Sequence, residues 1–356
     1  MKILHSADWH LDSAFQGQSP EAAAALRRAL LHLPQQLADL CKLENCDLML
    51  LSGDLFDGPY TAESLHALKV ALQEVKVPVF IAPGNHDFCS PDSPWLAETW
   101  PENVHIFTHP QLESVVIPSL DCRIYGAGFN SMDCKALLGD FIAEGKERYH
   151  IAVLHGDPTQ RKSPYNPITQ SQVEVSKLDY LALGHVHKTG SFRADSTLCA
   201  WPGCPMGRGF DELEEKGVLL VTLEETAEAR FVPLDTPRFY DLEAPVFTDP
   251  QAAVAAVLPA VANEDHYRVT VTGEWDDLDQ DDLRAQFAQF PNLQLRDHTV
   301  PVPDIWGTVR EDSLEGEFFR RLHQAMEDAA DADRETVELA AKISRRILDG
   351  REVVLP

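Results

Sequence analysis

Several histidines, carboxylates and amides in this chain follow directly after apolar segments. The stretch IAPGNHDFCS is one case: an apolar run ends at a Pro-Gly pair, and three polar residues follow, Asn85, His86 and Asp87. Such side chains are common in turns, so a simple turn is one interpretation. They are also the groups that bind metal ions and move protons, so a catalytic loop is the other interpretation.

Four other apolar segments end in the same way, at the motifs DWH, GDLFD, LHGD and GHVH. Together with GNHD they supply carboxylate, amide and imidazole groups from Asp8, His10, Asp54, Asp57, Asn85, His86, His155, His185 and His187. One histidine after a strand is usually structural, but five such exits in one domain are hard to explain as turns. The pattern therefore favours a functional site.

The segments that carry these residues alternate with helical segments. Strands are predicted at 2–7, in CDLMLLSGD and in VPVFIAP, with helices after Ser19-Pro20 and at 62–74, where Ser19 and Thr61 suit helix N-caps. This alternation predicts parallel strands joined by right-handed crossovers. Functional groups in such sheets collect beyond the carboxyl ends of the strands.

Further strands are predicted at 113–117, 122–126, 149–154, 179–183, 197–201 and 217–222. Strands of this density predict an α/β fold in which two packed sheets form a sandwich flanked by helices. Composition changes near 233–245, and a smaller α/β unit with strands in YRVTVTG and LQLRDHTV is predicted after it. The predicted parts are a main domain at 1–235, the smaller α/β domain at 236–308 and a C-terminal helical segment at 309–356.

The C-terminal segment from Ser313 to Gly350 has the pattern of two amphipathic helices. Leu314, Phe318, Leu322 and Met326 recur near helical spacing. Such a stripe is typical of ordinary core packing, and docking of a partner is the alternative.

The bulk composition predicts a protein of the reducing cytoplasm. The N-terminus turns polar after four residues, no apolar run approaches 18 residues, and none of the seven cysteines forms a C-x-x-C pair. We therefore expect no signal peptide, no membrane association and free thiols.

The net charge of −27 weighs against non-specific binding of nucleic acid. It does not exclude a nuclease, because bound metal ions attract phosphate locally. A DNA-binding chain of this charge would need a local basic strip. Arg161 and Lys162 either contact phosphate or belong to an exposed loop, and Arg208 forms either a salt bridge or a substrate contact.

Six or seven oxygen and nitrogen ligands at one edge of a sheet predict a dinuclear metal site. Carboxylate and imidazole without thiolate suit manganese, with iron or zinc as alternatives. Two cations about 3.5–4 Å apart need a shared anionic ligand, which an aspartate supplies.

The five motifs match the pattern D-x-H, G-D-x-x-D, G-N-H-[DE], H and G-H-x-H in order. The sequence therefore resembles the calcineurin-like metallophosphoesterases over roughly residues 1–225. LHSADWHLD, DYLALGHVHK and WPGCPMGRGFDELEEKG narrow the resemblance to the SbcD/YhaO-type DNA repair exonucleases. The smaller α/β unit lies where that family carries a DNA-capping domain.

The resemblance implies a role for each matching residue. It assigns one metal to Asp8, His10 and His187 and the second metal to Asn85, His155 and His185, with Asp54 as the bridge. His86 corresponds to the family's histidine that is not a ligand, and it would protonate the leaving oxygen.

The residues around these motifs keep simpler interpretations open. His5 is predicted to be a core histidine or a support for the ligands rather than a ligand itself. Asp57 and Asp157 either accept hydrogen bonds from ligand histidines or cap local turns. Asp87 either orients His86 or caps its turn.

The resulting prediction is a metal-dependent exonuclease or endonuclease that acts on DNA ends. The same metal core serves phosphodiesterases and phosphatases that act on small nucleotides or phosphoproteins, which is the second hypothesis. In the third, the chain is mainly the DNA-end-binding subunit of a coiled-coil ATPase complex. DNA and an SbcC-like ATPase are the predicted partners, and a homodimer is left open.

Overall fold

The computed structural model describes residues 1–302, 305–306, 312–348 and 350. The chain forms two compact units. The first consists of Met1–Tyr240 and Glu264–His266, and the second contains the described residues of Asp241–Asn263 and Tyr267–Pro356. The predicted domain limits of 1–235, 236–308 and 309–356 remain predictions, and positions 309–311 lie outside the described residues.

The first unit contains twelve strands and four helices. The strands are β1 (Lys2–Ser6), β2 (Leu48–Leu51), β3 (Val79–Ile81), β4 (Val104–Ile106), β5 (Glu113–Ile117), β6 (Cys122–Gly126), β7 (Tyr149–His155), β8 (Tyr180–Gly184), β9 (Gly190–Ala194), β10 (Thr197–Trp201), β11 (Gly217–Leu223) and β12 (Ala227–Pro233). The helices are α1 (Pro20–Leu43), α2 (Ala62–Val75), α3 (Pro94–Ala97) and α4 (Gln170–Ser176).

These strands form two six-stranded sheets. The first has the order β12-β11-β1-β2-β3-β4, and the second has the order β5-β6-β7-β8-β10-β9. The pairs β1–β2, β2–β3 and β3–β4 are parallel, as are β6–β7, β7–β8 and β8–β10. The parallel strands of each sheet therefore end at one edge, from which the loops with the predicted site residues leave.

The apolar core lies between the two sheets and under the helices. Ile3 and Phe80 of the first sheet pack with Ile151 and Tyr180 of the second. The next residue along β1, Leu4, faces the opposite side and packs with residues of α1 and α2. This alternation follows from the two-residue period of a strand, and it confirms the predicted α/β sandwich with flanking helices.

The helices begin where the sequence predicts. The Ser19 hydroxyl accepts a hydrogen bond from the Ala22 N–H at 3.2 Å, and the Thr61 hydroxyl accepts one from the Ser64 N–H at 3.1 Å. Each bond satisfies one of the free N–H groups in the first turn of a helix.

The second unit contains a smaller α/β arrangement. Its elements, of which β13 and β14 begin within the first unit, are β13 (Phe239–Val246), α5 (Pro250–Val257), β14 (His266–Glu274), α6 (Gln280–Gln286), β15 (Leu293–Val300), α7 (Leu314–Asp328) and α8 (Asp331–Leu348). The strands form a three-stranded sheet in the order β13-β14-β15, in which β14 and β15 are parallel. No helix in the described part of the chain is both long and apolar enough to cross a membrane.

Four strands were not predicted from the sequence. β4, β9 and β12 are short or largely exposed, so they lack the apolar run that marks the other strands. β13 lies inside the predicted boundary at 233–245, where charged and apolar residues alternate. All seven cysteines are free, as expected.

Asp87 connects the loop after β3 to the loop after β2. Its buried carboxylate accepts hydrogen bonds from the N–H groups of Gly84 at 2.7 Å, Leu55 at 2.8 Å and Asp54 at 3.2 Å. Burial and the nearby Asp54 carboxylate raise the pKa of Asp87 to about 7, against the lowering effect of the N–H donors. Asp87 therefore caps the turn and holds the two loops together.

Replacing Asp87 with alanine should lower the free energy of unfolding by roughly 2–4 kcal/mol, because several buried N–H groups lose their acceptor. Chemical denaturation of the metal-free protein measures this change. Asp92→Ala, on the same loop but exposed, is the matched control and should change stability by less than about 0.5 kcal/mol. Equal stability of the two variants would contradict the proposed connection.

Candidate metal centre

The predicted site residues meet at the edge of the two sheets in the first unit. Asp8 and His10 follow β1, Asp54 follows β2, Asn85 and His86 follow β3, His155 ends β7, and His185 and His187 follow β8. Ligand atoms of Asp8, His10 and His187 lie within 4.8 Å of one another, and the same holds for Asp8, Asp54 and His155. These two groups share Asp8, so they adjoin.

The first group centres on two facing imidazoles. His10 Nε2 and His187 Nε2 are 3.2 Å apart. The other nitrogen of each ring is held: His10 Nδ1 is 3.3 Å from Asp57 Oδ1, and His187 Nδ1 is 2.6 Å from Glu212 Oε1. Both rings are thereby oriented with Nε2 toward the same point, as in metal sites supported by carboxylates.

His155 of the second group also faces the Asn85 side-chain oxygen, which lies near His185 as well. Asn85 Oδ1 lies 3.0 Å from His155 Nε2 and 3.2 Å from His185 Nδ1. His155 Nδ1 donates to the Ser52 carbonyl at 2.8 Å, so in the neutral ring the lone pair is on Nε2. Asp54 Oδ2 lies 3.4 Å from His155 Nε2 and 4.0 Å from His10 Nε2, so this carboxylate stands between the groups.

Four of the predicted ligands have backbones in the left-handed region, which non-glycine residues rarely adopt. The φ angles are 55° at Asp8, 50° at His10, 52° at Asp54 and 101° at His185. The His185 N–H donates to the Asp8 carboxylate at 2.9 Å, which holds the ends of β1 and β8 together. Such strain is characteristic of functional sites, where surrounding contacts maintain it.

Two glycines allow the loops to approach each other this closely. Gly53 has a φ of 84°, and a Cβ there would lie 2.7 Å from both the Ala82 carbonyl and His155 Nδ1. A Cβ on Gly84 would collide with Asp54 Oδ1 and lie 2.8 Å from the His155 ring. The Pro-Gly pair before Asn85 therefore lets the backbone pass against the predicted ligands.

His86 differs from the other histidines of the site because its side chain is 44% exposed. Its Nδ1 lies 2.8 Å from Asp57 Oδ1, and its backbone N–H donates to Asp54 Oδ1 at 2.8 Å. The hydrogen bond with Asp57 raises the pKa of His86, and this effect outweighs the lowering by burial. The imidazole is therefore held beside the predicted ligands, and its ligand atom lies within 4.8 Å of those of His10 and Asp54. That His86 is not itself a ligand stays a prediction.

Neighbouring charges keep the carboxylates of the site ionised. Hydrogen bonds from His10 and His86 hold the pKa of Asp57 far below its usual range. Burial raises the pKa of Asp54, but the neighbouring imidazoles, His155 first, outweigh it and leave that pKa lowered. Burial also raises the pKa of Glu212, yet its bond with His187 brings the net pKa below the usual value.

The donor set fits two divalent cations. Imidazole Nε2 atoms lie opposite one another at 3.2 Å, and their other nitrogens are already bonded, so the lone pairs converge on shared points. Cys204 lies beside the site: burial raises the pKa of its thiol, its Sγ donates to Glu212 at 3.5 Å, and its ligand atom lies within 4.8 Å of those of His187 and Glu212. Oxygen and nitrogen donors without thiolate suit manganese, iron or zinc.

Comparison with known proteins agrees with this geometry. The family model described as calcineurin-like phosphoesterase matches residues 1–189. The chain belongs to this family. As a calcineurin-like phosphoesterase it is a metal-dependent phosphoesterase, and the family binds a pair of divalent metal ions.

Two curated relatives and one solved structure are similar to this phosphoesterase. It is 32% identical over 239 residues to the Uncharacterized metallophosphoesterase YhaO of Bacillus subtilis, covering 62% of this chain and 57% of YhaO. It is 26% identical over 273 residues to the SbcD subunit of Nuclease SbcCD of B. subtilis, covering 64% of this chain and 68% of the relative. The solved structure is a dimetal phosphatase from Danio rerio, with a TM-score of 0.41 and 11% identity. The match covers 65% of this chain and 96% of the phosphatase.

Other residues near the phosphoesterase site have roles that the structure specifies. Asp57, rather than Asp87, orients His86. His5 is a core histidine, bonded to the Tyr180 hydroxyl at 2.7 Å and the Ser52 hydroxyl at 2.8 Å. Asp157 caps a local turn through Oδ1, while its Oδ2 lies 3.9 Å from His185 Nε2.

Sequence reasoning missed Glu212, which holds the imidazole of His187. Arg208 pairs with this glutamate at 3.4 Å and lies 3.1 Å from His187 Nδ1, so the salt-bridge interpretation of Arg208 is correct. Glu212 belongs to the GRGFDE stretch, 25 residues after its partner. The only signal in the sequence for this role of Glu212 was its place in WPGCPMGRGFDELEEKG, a stretch that resembles the SbcD/YhaO-type proteins.

Replacing Asp54 with alanine should remove both metal ions, because its carboxylate stands between the two groups. Asp8→Ala should mainly remove the ion near His10 and His187. Metal content per chain, measured after dialysis, tests both variants, with Asp92→Ala as the surface control. An Asp54→Ala protein that retained two metal ions would rule out the bridging role.

Substitution of the neighbours Asn85 and His86 should impair the enzyme in different ways. His86→Asn should keep both metals but slow the cleavage of an alkyl phosphodiester by roughly 10²–10⁴-fold, with a smaller loss for a nitrophenyl ester, which hardly needs protonation. Asn85→Ala should weaken one metal and recover partly at high metal concentration. Metal content and the ratio of the two cleavage rates separate these cases; loss of a metal in His86→Asn would refute the acid role.

Proposed function

We propose that this phosphoesterase hydrolyses DNA phosphodiester bonds, as an exonuclease that acts at DNA ends in repair with two manganese ions. The observation that carries the proposal is the exposed imidazole of His86, fixed by Asp57 beside the predicted ligands. The alkoxide released from DNA is a poor leaving group, so a positioned acid has a specific use there. The similarity to the SbcD subunit of a protein named Nuclease SbcCD supports DNA as the substrate.

In this proposal seven residues hold the cations. Asp8, His10 and His187 bind one, Asn85, His155 and His185 bind the other, and Asp54 contacts both. The cations, when bound, neutralise the charge on the phosphate and lower the pKa of water so that hydroxide is available near neutral pH.

The chain's own residues then orient the ligands and move the proton. Glu212, Asp57 and the Ser52 carbonyl fix the three imidazoles that bind through Nε2. Asp57 also favours the protonated form of His86 through the 2.8 Å contact with Nδ1. His86 Nε2 then donates its proton to the leaving oxygen.

We propose DNA and an SbcC-like coiled-coil ATPase as partners, with the cytoplasm as the location. Free thiols fit a reducing compartment. On α7 and α8, the apolar residues Leu314 and Ile347 are 90% and 62% exposed, which favours docking of a partner on these helices. A homodimer is the alternative use of this surface.

A phosphodiesterase or phosphatase that acts on small nucleotides or phosphoproteins is the second candidate. The net charge of −27 favours it, because a long polyanion is repelled by most of the surface. The same metal core supports either chemistry.

Metal-stripped protein should be inactive, and Mn²⁺ should restore cleavage. With the metal restored, linear DNA should be degraded, covalently closed circular DNA should resist, and bis-nitrophenyl phosphate should be cleaved faster than nitrophenyl phosphate. Full activity without metal would exclude the metal-dependent mechanism. Efficient cleavage of nitrophenyl phosphate or a small nucleotide, with no cleavage of DNA, would favour the second candidate.

A further inference from the structure

A surface cavity on the first unit is lined by three cations in a strongly acidic chain. The cavity measures about 460 Å³ and lies between residues 133–136 and 161–167. Lys135, Arg161 and Lys162 line it, together with one carboxylate, Asp133. The lining therefore carries two net positive charges, three minus one, whereas the whole chain carries −27.

These three cations are not neutralised by partners. Within the described ranges, none of them forms an ion pair with a carboxylate, and all three are exposed. Several other cations of the first unit are paired, such as Arg123 with Glu147 at 3.1 Å and Lys69 with Glu98. A cluster of unpaired cations attracts an external anion where paired ones do not.

Hydrogen bonds tie the two sides of the cavity to each other. The Cys134 N–H donates to the Pro164 carbonyl at 2.8 Å, and the Asn166 N–H donates to the Cys134 carbonyl at 2.7 Å. Lys135 and Arg161 therefore project from segments held in a fixed relation.

The segment 161–167 also contacts two predicted ligands of the second metal, His155 and His185. The Asn166 side-chain NH₂ donates to the His155 carbonyl at 2.8 Å, and the Tyr165 ring centroid is 4.9 Å from that of His185. The segment 161–167, which forms one side of the cavity, thus also contacts His155 and His185.

We propose that this cavity binds the phosphodiester backbone of the nucleic-acid strand next to the scissile bond. The inference rests on the proposed function, and it adds the surface that an acidic chain needs to hold a polyanion. Described residues with aromatic rings do not line the cavity, so bases have no stacking surface there. Contacts to backbone phosphate position a strand without reading its sequence, so binding here is independent of sequence.

The test compares two triple variants with the same change in charge. One is Lys135→Gln, Arg161→Gln, Lys162→Gln; the control is Arg28→Gln, Lys76→Gln, Lys146→Gln, which removes three exposed cations outside the cavity. Binding of a fluorescent single-stranded oligonucleotide by the full chain is measured between 50 and 300 mM salt, and cleavage of the oligonucleotide and of bis-nitrophenyl phosphate is measured with Mn²⁺.

The cavity variant should bind about 100-fold more weakly at 0.1 M salt, and the slope of log K against log salt should fall by about 2. Each phosphate contact contributes about 0.7 to this slope for a single strand, so three lost contacts lower the slope by about 2. At 0.1 M salt a slope change of about 2 corresponds to an affinity about 100-fold lower. Its kcat/KM should fall at least 10-fold more for the oligonucleotide than for the small ester. The control variant should change affinity by less than about 3-fold.

Equal losses in the two variants would show that general charge is responsible and would overturn the inference. Absence of oligonucleotide binding by the unmodified chain, or binding of anionic lipid vesicles in its place, would also overturn it. If the metal-loaded chain cleaved no phosphodiester, the proposed function would fail, while the binding comparison would still decide the role of the cavity.

Discussion

Hydrogen bonds on the second ring nitrogen of His10, His155 and His187 are the constraint on which the metal centre depends. His155 donates to a backbone carbonyl, and His10 and His187 each face a carboxylate. Without these bonds a ring could rotate or carry its proton on Nε2, and its lone pair would no longer face the centre. The residues that hydrogen-bond the ligand histidines therefore determine where the ring nitrogens point, as much as the histidines themselves do.

The sandwich makes this arrangement possible by joining the edges of two sheets. Ligands from β1, β2 and β3 lie in the first sheet, and those from β7 and β8 lie in the second. Hydrogen bonds from the His185 N–H to Asp8 and from His155 to Ser52 cross between the sheets. The buried core offsets the cost of left-handed backbones, which is about 1–3 kcal/mol at each such residue.

Charge is distributed unevenly over the chain. A net charge of −27 repels DNA at long range, but attraction at short distance depends on local charges, because the Debye length is about 8 Å at physiological salt. A bound metal pair and the cavity with Lys135, Arg161 and Lys162 would supply such local attraction. An acidic surface elsewhere would then oppose binding away from the site.

Residue types and local spacing were enough to predict the strands that carry the motifs, the α/β sandwich and the set of candidate ligands. These features depend on short-range patterns: apolar runs, helix caps, and polar residues directly after strands. The sequence did not show that Asp57 orients His86, that Asp87 joins two loops, or that Glu212 holds His187. The contact of Asp57 with His86 spans 29 residues, those of Asp87 with the other loop span 31 to 33, that of Glu212 with His187 spans 25, and that of His155 with Ser52 spans 103. No local pattern specifies such partners, because only packing of the two sheets brings them within hydrogen-bond distance.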